Sequence, residues 1–82
     1  MRNIKKKTLQ NIMSEELKQY RQQHGLSQEA MARKLMLAVR TYVDLEHGIN
    51  LASATTLAIY LTQLPPNEQE RFLQAVRTAW ES

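Results

Sequence analysis

The segment that most constrains this chain is residues 27–48, S-Q-E-A-M-A-R-K-L-M-L-A-V-R-T-Y-V-D-L-E-H-G, which reads as two short helices around a tight turn. Ser27 suits an N-cap, its hydroxyl free to accept from an unpaired N–H of the first turn. Met31, Ala32 and Leu35 fall at i, i+1 and i+4, an apolar stripe that buries one side of a helix. Glu29 near the start and Arg33 and Lys34 near the end follow the polarity of the helix dipole. Met36, Leu37 and Ala38 then interrupt the pattern. A second helix turns Tyr42 and Leu45 inward and stops at Gly48, a residue suited to the left-handed conformation that closes a helix. Two helices of about two turns each, sharing an apolar seam across so short a link, form a helix-turn-helix.

Helical periodicity continues on both sides of this unit. In residues 8–23, Leu9, Met13, Leu17 and Tyr20 repeat at helical spacing, and Ile12 widens the stripe. Ser14 offers an alternative cap for a shorter helix beginning at Glu15. Gly25 closes this helix as Gly48 closes the later one, and His24 and His47 precede the two glycines, where positive charge is favoured by the dipole. Ser53 caps a fourth helix whose inward face is Ala54, Leu57, Tyr60, Leu61 and Leu64, with Ile59 off that stripe. Pro65 and Pro66 end it, and Pro66 opens a fifth helix through residue 80. There Phe72, Leu73, Ala75, Val76, Ala79 and Trp80 form an apolar face broader than one groove of a small domain needs. Half of that face is expected to complete the core, and Phe72, Leu73, Val76 and Trp80 are the candidate contacts with a second subunit. Strand-like alternation is absent, so the expectation is an all-α chain folded as a compact five-helix bundle.

Eighty-two residues allow one domain with a small core. The division expected is a flexible basic arm over residues 1–7 and one helical domain over residues 8–82. There is no cysteine, which excludes disulfides and thiolate metal sites and fits a reducing cytoplasm. The longest apolar run, residues 35–39, is far too short to span a bilayer, and no leader pattern opens the chain. No Gly-rich phosphate loop, convergent acid pair or His cluster is visible, so neither an enzyme nor a metal or other cofactor is expected. The net charge of +3 is unevenly spread: residues 1–26 carry +4, residues 27–50 carry zero and residues 51–82 carry −1. Arg2, Lys5, Lys6 and Lys7 make up most of the basic excess, which suits contacts with phosphates.

Three motifs in order carry a resemblance: G-L-S-Q-E-x-x-A-x-x-L over residues 25–35, L-E-H-G over residues 45–48, and S-A-T-T-L-x-x-Y-L over residues 53–61. Residues 17–64 thereby resemble the phage-repressor/Cro type of helix-turn-helix domain, the XRE family, whose fold is lambda-repressor-like. The resemblance implies a sequence-specific regulator of transcription that binds double-stranded DNA, commonly as a homodimer on paired half-sites. Repression is the expected mode, because the chain has no room for a second effector domain. The resemblance also implies an internal salt bridge between Arg21 and Glu46.

In that frame the third helix enters the major groove and the second lies across the backbone. With Tyr42 and Leu45 inward, the base-reading set is Val39, Arg40, Val43 and Asp44. Arg40 can donate two hydrogen bonds to guanine, and the valines offer methyls to thymine. Gln28, Thr41, His47 and Asn50, together with Arg2, Lys5, Lys6 and Lys7, are the expected contacts with the DNA backbone. Two residues depart from the family pattern. Met36 stands where glycine is usual in the turn, and Asp44 stands where a polar or basic reader is more common. A carboxylate near phosphates is repelled unless it accepts from cytosine N4. That feature, the exposed valines and the broad apolar face of the fifth helix support a rival reading, a protein-interaction module with a protein partner.

Overall fold

The computed structural model describes residues 2–81, with the side chains of residues 2–5 outside that description. Five helices follow in order: α1 (Arg2–Gln23), α2 (Gln28–Lys34), α3 (Val39–Glu46), α4 (Ala54–Thr62) and α5 (Pro66–Glu81). No strand occurs among the described residues. The all-α, five-helix expectation holds, and no helix is long and apolar enough to cross a membrane.

The first three helices end in the same way. The N–H of Leu26 reaches back to the carbonyl of Arg21 at 2.9 Å, that of Leu37 to Ala32 at 2.9 Å, and that of Ile49 to Asp44 at 2.9 Å. Companion bonds, each spanning three residues, run from Gly25 to Gln22, Met36 to Arg33 and Gly48 to Leu45. Each helix therefore closes in a Schellman motif, which needs a left-handed residue at its corner. Gly25 and Gly48 supply it with φ of 62° and 73°, and Met36 adopts the same conformation with φ of 59°. The sequence pattern is one glycine short of three such endings, and the turn forms nonetheless.

Ser27 and Ser53 cap α2 and α4, their hydroxyls accepting from the N–H of Ala30 and Thr56. Ala38 precedes α3 without a side-chain cap. Pro65 closes α4, and its carbonyl accepts from the N–H of Glu68 and Gln69 to start α5.

The core is Met13, Leu17 and Tyr20 of α1, Met31, Ala32 and Leu35 at α2, Tyr42 and Leu45 of α3, Tyr60 and Leu64 at α4, and Phe72 of α5. Tyr60 makes edge-to-face contacts with Tyr20 at 5.5 Å and with Phe72 at 6.0 Å, so one aromatic column joins α1, α4 and α5. α1 packs against both α3 and α5, and α2 packs against α3.

Several expectations are corrected. Residues 2–7 are not a separate arm but the first turns of α1, which starts six residues before the helix expected from residue 8. Charge repulsion among lysines does not outweigh helix propagation, where each added residue gains a hydrogen bond. Ser14 is not a cap: it lies buried inside α1 and donates to the Glu46 carbonyl at 2.6 Å. In α4, Ala54 is exposed, Thr56 is buried and Ile59 is half-buried against the core. Ala54 is the first residue of its helix, and the entering chain turns it to solvent.

Candidate nucleic-acid interface

One carboxylate organises the unit. Glu46, at the last position of α3, is only 3% exposed. It accepts from Arg21 Nε at 2.6 Å and Nη2 at 3.1 Å, from the Tyr42 hydroxyl at 2.5 Å, and from Gln28 Nε2 at 2.9 Å. Each oxygen thus takes two donors, which fills the accepting capacity of a carboxylate. Arg21 also donates to the Leu26 carbonyl at 3.1 Å, binding the end of α1 to the entry of α2.

The electrostatics follow from this arrangement. Burial pushes the Glu46 carboxyl upward, but hydrogen bonds from Arg21, Tyr42 and Gln28 outweigh it and hold the group below the usual carboxylate range. The same contact with Glu46 raises the Arg21 guanidinium above its ordinary value. Burial, followed by the bond to Glu46, drives the Tyr42 hydroxyl far above the ordinary phenol. Glu46 is therefore ionised, and Tyr42 is a neutral donor, throughout the neutral range.

This hub fixes which side of α3 faces out. Tyr42, Leu45 and Glu46 are buried, and all three lie on the inner side. On the other side, Val39 is 43% exposed, Arg40 and Thr41 are exposed, and Val43 and Asp44 are half-buried. The four expected base-reading residues thus share one accessible helix face. His47 and Asn50 are exposed just beyond the end of α3, and Thr41 and Asn50 line one shallow cleft with Leu37, Leu45 and Ser53.

Gln28 is half-exposed, and its amide is tied to Glu46 rather than pointing freely outward. Lys6 and Lys7 are exposed on α1, whereas the side chains of Arg2 and Lys5 lie outside the described residues. His24 stacks on Tyr20 with ring centroids 4.0 Å apart, and its Nδ1 lies 2.9 Å from the Tyr20 carbonyl. Both histidines sit at helix ends, and no group of His, Asp or Glu able to hold a metal occurs among the described residues.

On α5, Phe72 is buried, Val76 is half-buried, and Leu73 and Trp80 are 41% and 59% exposed. Leu73 and Val76, with Leu9, Ile12 and Leu51, border an open apolar groove between α1, α5 and the segment after α3.

Two contacts were not expected from the sequence. The bond from Tyr42 to Glu46 joins residues four apart on α3, a spacing that signals a side-chain pair and was legible. Glu16 was not legible. It accepts from the Tyr60 hydroxyl at 2.5 Å, with Arg71 3.8 Å away, and these partners lie 44 and 55 residues further along the chain.

Comparison with known proteins adds the last observation. Neither a curated relative nor a solved structure matches the chain. A family model described as helix-turn-helix matches residues 17–65, more than half the chain and the span of the motifs, the hub and α3. The chain belongs to the helix-turn-helix family of the phage-repressor/Cro (XRE) type, whose members are DNA-binding regulators of transcription.

Proposed function

We propose that this protein is a sequence-specific repressor that binds a two-fold operator as a dimer and acts by occupying it. The observation that carries the reading is the face of α3, where Val39, Arg40, Val43 and Asp44 stand outward on a helix clamped from behind by Glu46. A reading helix must be held rigidly, because bidentate contacts with base edges tolerate little displacement. Arg40 is the principal reader, an exposed guanidinium able to donate to guanine O6 and N7. Asp44 then selects for cytosine and against the other bases, and the two valines contact thymine methyls. Gln28, Thr41, His47 and Asn50 hold the phosphates beside them, and the basic start of α1 adds long-range attraction. A two-fold operator read by such a dimer has half-sites about one turn of DNA apart, roughly 34 Å.

The test is fluorescence anisotropy on DNA from upstream of the protein's own gene, at two salt concentrations and against scrambled duplex. The native protein should prefer the native fragment by at least tenfold. Arg40→Ala should lose about 1–3 kcal/mol of binding, chiefly from specificity. Equal, weak binding to both duplexes, indifferent to Arg40, would overturn the reading.

One observation favours a second reading, a protein-interaction module. Residues 41–70 contain no lysine or arginine, and the segment leaving α3 exposes Ile49 at 60% and Leu51 at 44%. An apolar, cation-free surface beside α3 suits a protein partner better than a phosphate backbone. Anisotropy that fails on every duplex, with a stable protein complex seated on Leu51 and Leu73, would establish this alternative.

A further inference from the structure

We infer that Glu46 is a positioning residue for DNA, acting through Gln28, and not only the structural partner of Arg21. The inference rests on the DNA-reading assignment above. A carboxylate only accepts hydrogen bonds, so the atom of Gln28 that lies 2.9 Å from Glu46 Oε1 is the amide nitrogen. An amide nitrogen carries two hydrogens. Glu46 takes one, which fixes the end of the amide that faces it and leaves the second hydrogen for an outside acceptor on this half-exposed residue.

A DNA phosphate is such an acceptor, since its oxygens also only accept. A free glutamine side chain can present its carbonyl as easily as its nitrogen, and the carbonyl repels a phosphate. Glu46 removes that choice before DNA arrives. Because Glu46 belongs to α3, the Gln28 donor is also indexed to the reading helix, although Gln28 itself stands on α2. The backbone contact and the base contacts are thereby set by one side chain.

Ethylation interference on a duplex selected by the native protein from a random-sequence pool tests this directly. For native protein, ethylation of one phosphate in each half-site should weaken binding about tenfold through loss of the Gln28 contact. Gln28→Ala should abolish sensitivity at that phosphate alone. Glu46→Gln can offer its own amide hydrogens to Gln28 and so frees the amide to turn over. It should lose sensitivity at the same phosphate while keeping the others. Retained sensitivity in Glu46→Gln, or uniform weakening at every phosphate, would overturn the positioning role and reduce Glu46 to a structural part.

Nuclear magnetic resonance of the native chain covers the case in which Glu46→Gln does not fold. The Gln28 amide proton held by Glu46 should exchange with water more slowly than its partner in free protein, and only the proton not held by Glu46 should move when the duplex is added. Two Gln28 amide protons that exchange with water equally fast in free protein, or no response to DNA that binds, would also overturn the proposal. A native chain that selects no site would refute the DNA-reading assignment itself, and the positioning role with it.

Discussion

Met36 is 81% exposed, so its side chain gains almost nothing from burial, yet its backbone holds a φ of 59°. In the left-handed region a side chain meets the following carbonyl, a strain of about 1–2 kcal/mol that glycine escapes. Glycine loses part of that advantage because its unfolded chain is freer. Met36→Gly should therefore stabilise the fold by about 0.5–1 kcal/mol, read as a rise of a few degrees in melting temperature. A fall would mean that the methionine makes contacts in solution that outweigh the strain. The family resemblance marked this position as irregular, because glycine is usual there in the turn.

Among the elements, α5 shows how little of its attachment is apolar packing alone. Phe72 is its one buried residue, Val76 packs partly against the core, and polar contacts add to them. Gln69 donates to the carbonyls of Leu61 at 2.7 Å and Leu64 at 3.1 Å, satisfying the end of α4. Glu16 of α1 receives the Tyr60 hydroxyl from α4 and lies near Arg71 of α5. Burial, followed by the bond to Glu16, raises the Tyr60 hydroxyl far above the ordinary phenol, so it stays a donor. Tyr60→Phe keeps the aromatic column but leaves Glu16 with a half-solvated arginine as its main support. It should cost about 1–3 kcal/mol in denaturant unfolding, more than an exposed tyrosine would. Glu16→Gln in the same background should recover part of that loss, since an amide is cheaper to leave short of a donor than a carboxylate.

At the scale of the whole molecule, the acid response should be dominated by Glu46. Its carboxyl is lowered in the folded state, so it binds a proton less readily folded than unfolded. The resulting stability is fully present above the unfolded carboxyl value, about 4.3, and is lost as pH falls through the lower folded value. Glu46→Gln should cost about 3 kcal/mol at pH 7, the lower end for a broken desolvated pair because Arg21 still reaches solvent. The gap between native and variant should then narrow in thermal melts as pH drops from 5 towards 2. A gap that stays constant across that range would show that Glu46 stabilises by shape and not by charge.

The sequence by itself determined what depends on neighbours along the chain. Serine caps, the glycine endings, the proline break and the 3.6-residue stripes are local, and they set α2, α3 and the start of α5 where they occur. The family resemblance implied the Arg21–Glu46 pair as well, and its bond of 2.6 Å is present. Tertiary structure decided the rest, because burial is a property of what arrives from elsewhere. Nothing near Glu16 announces a buried carboxylate until Tyr60 comes to it from 44 residues away. Nothing near Ser14 shows that it leaves the role of a cap to tie α1 to the end of α3. Gln28 reads as a contact with the DNA backbone at the start of a helix, and nothing near it shows that its amide is bonded to Glu46, 18 residues further along the chain.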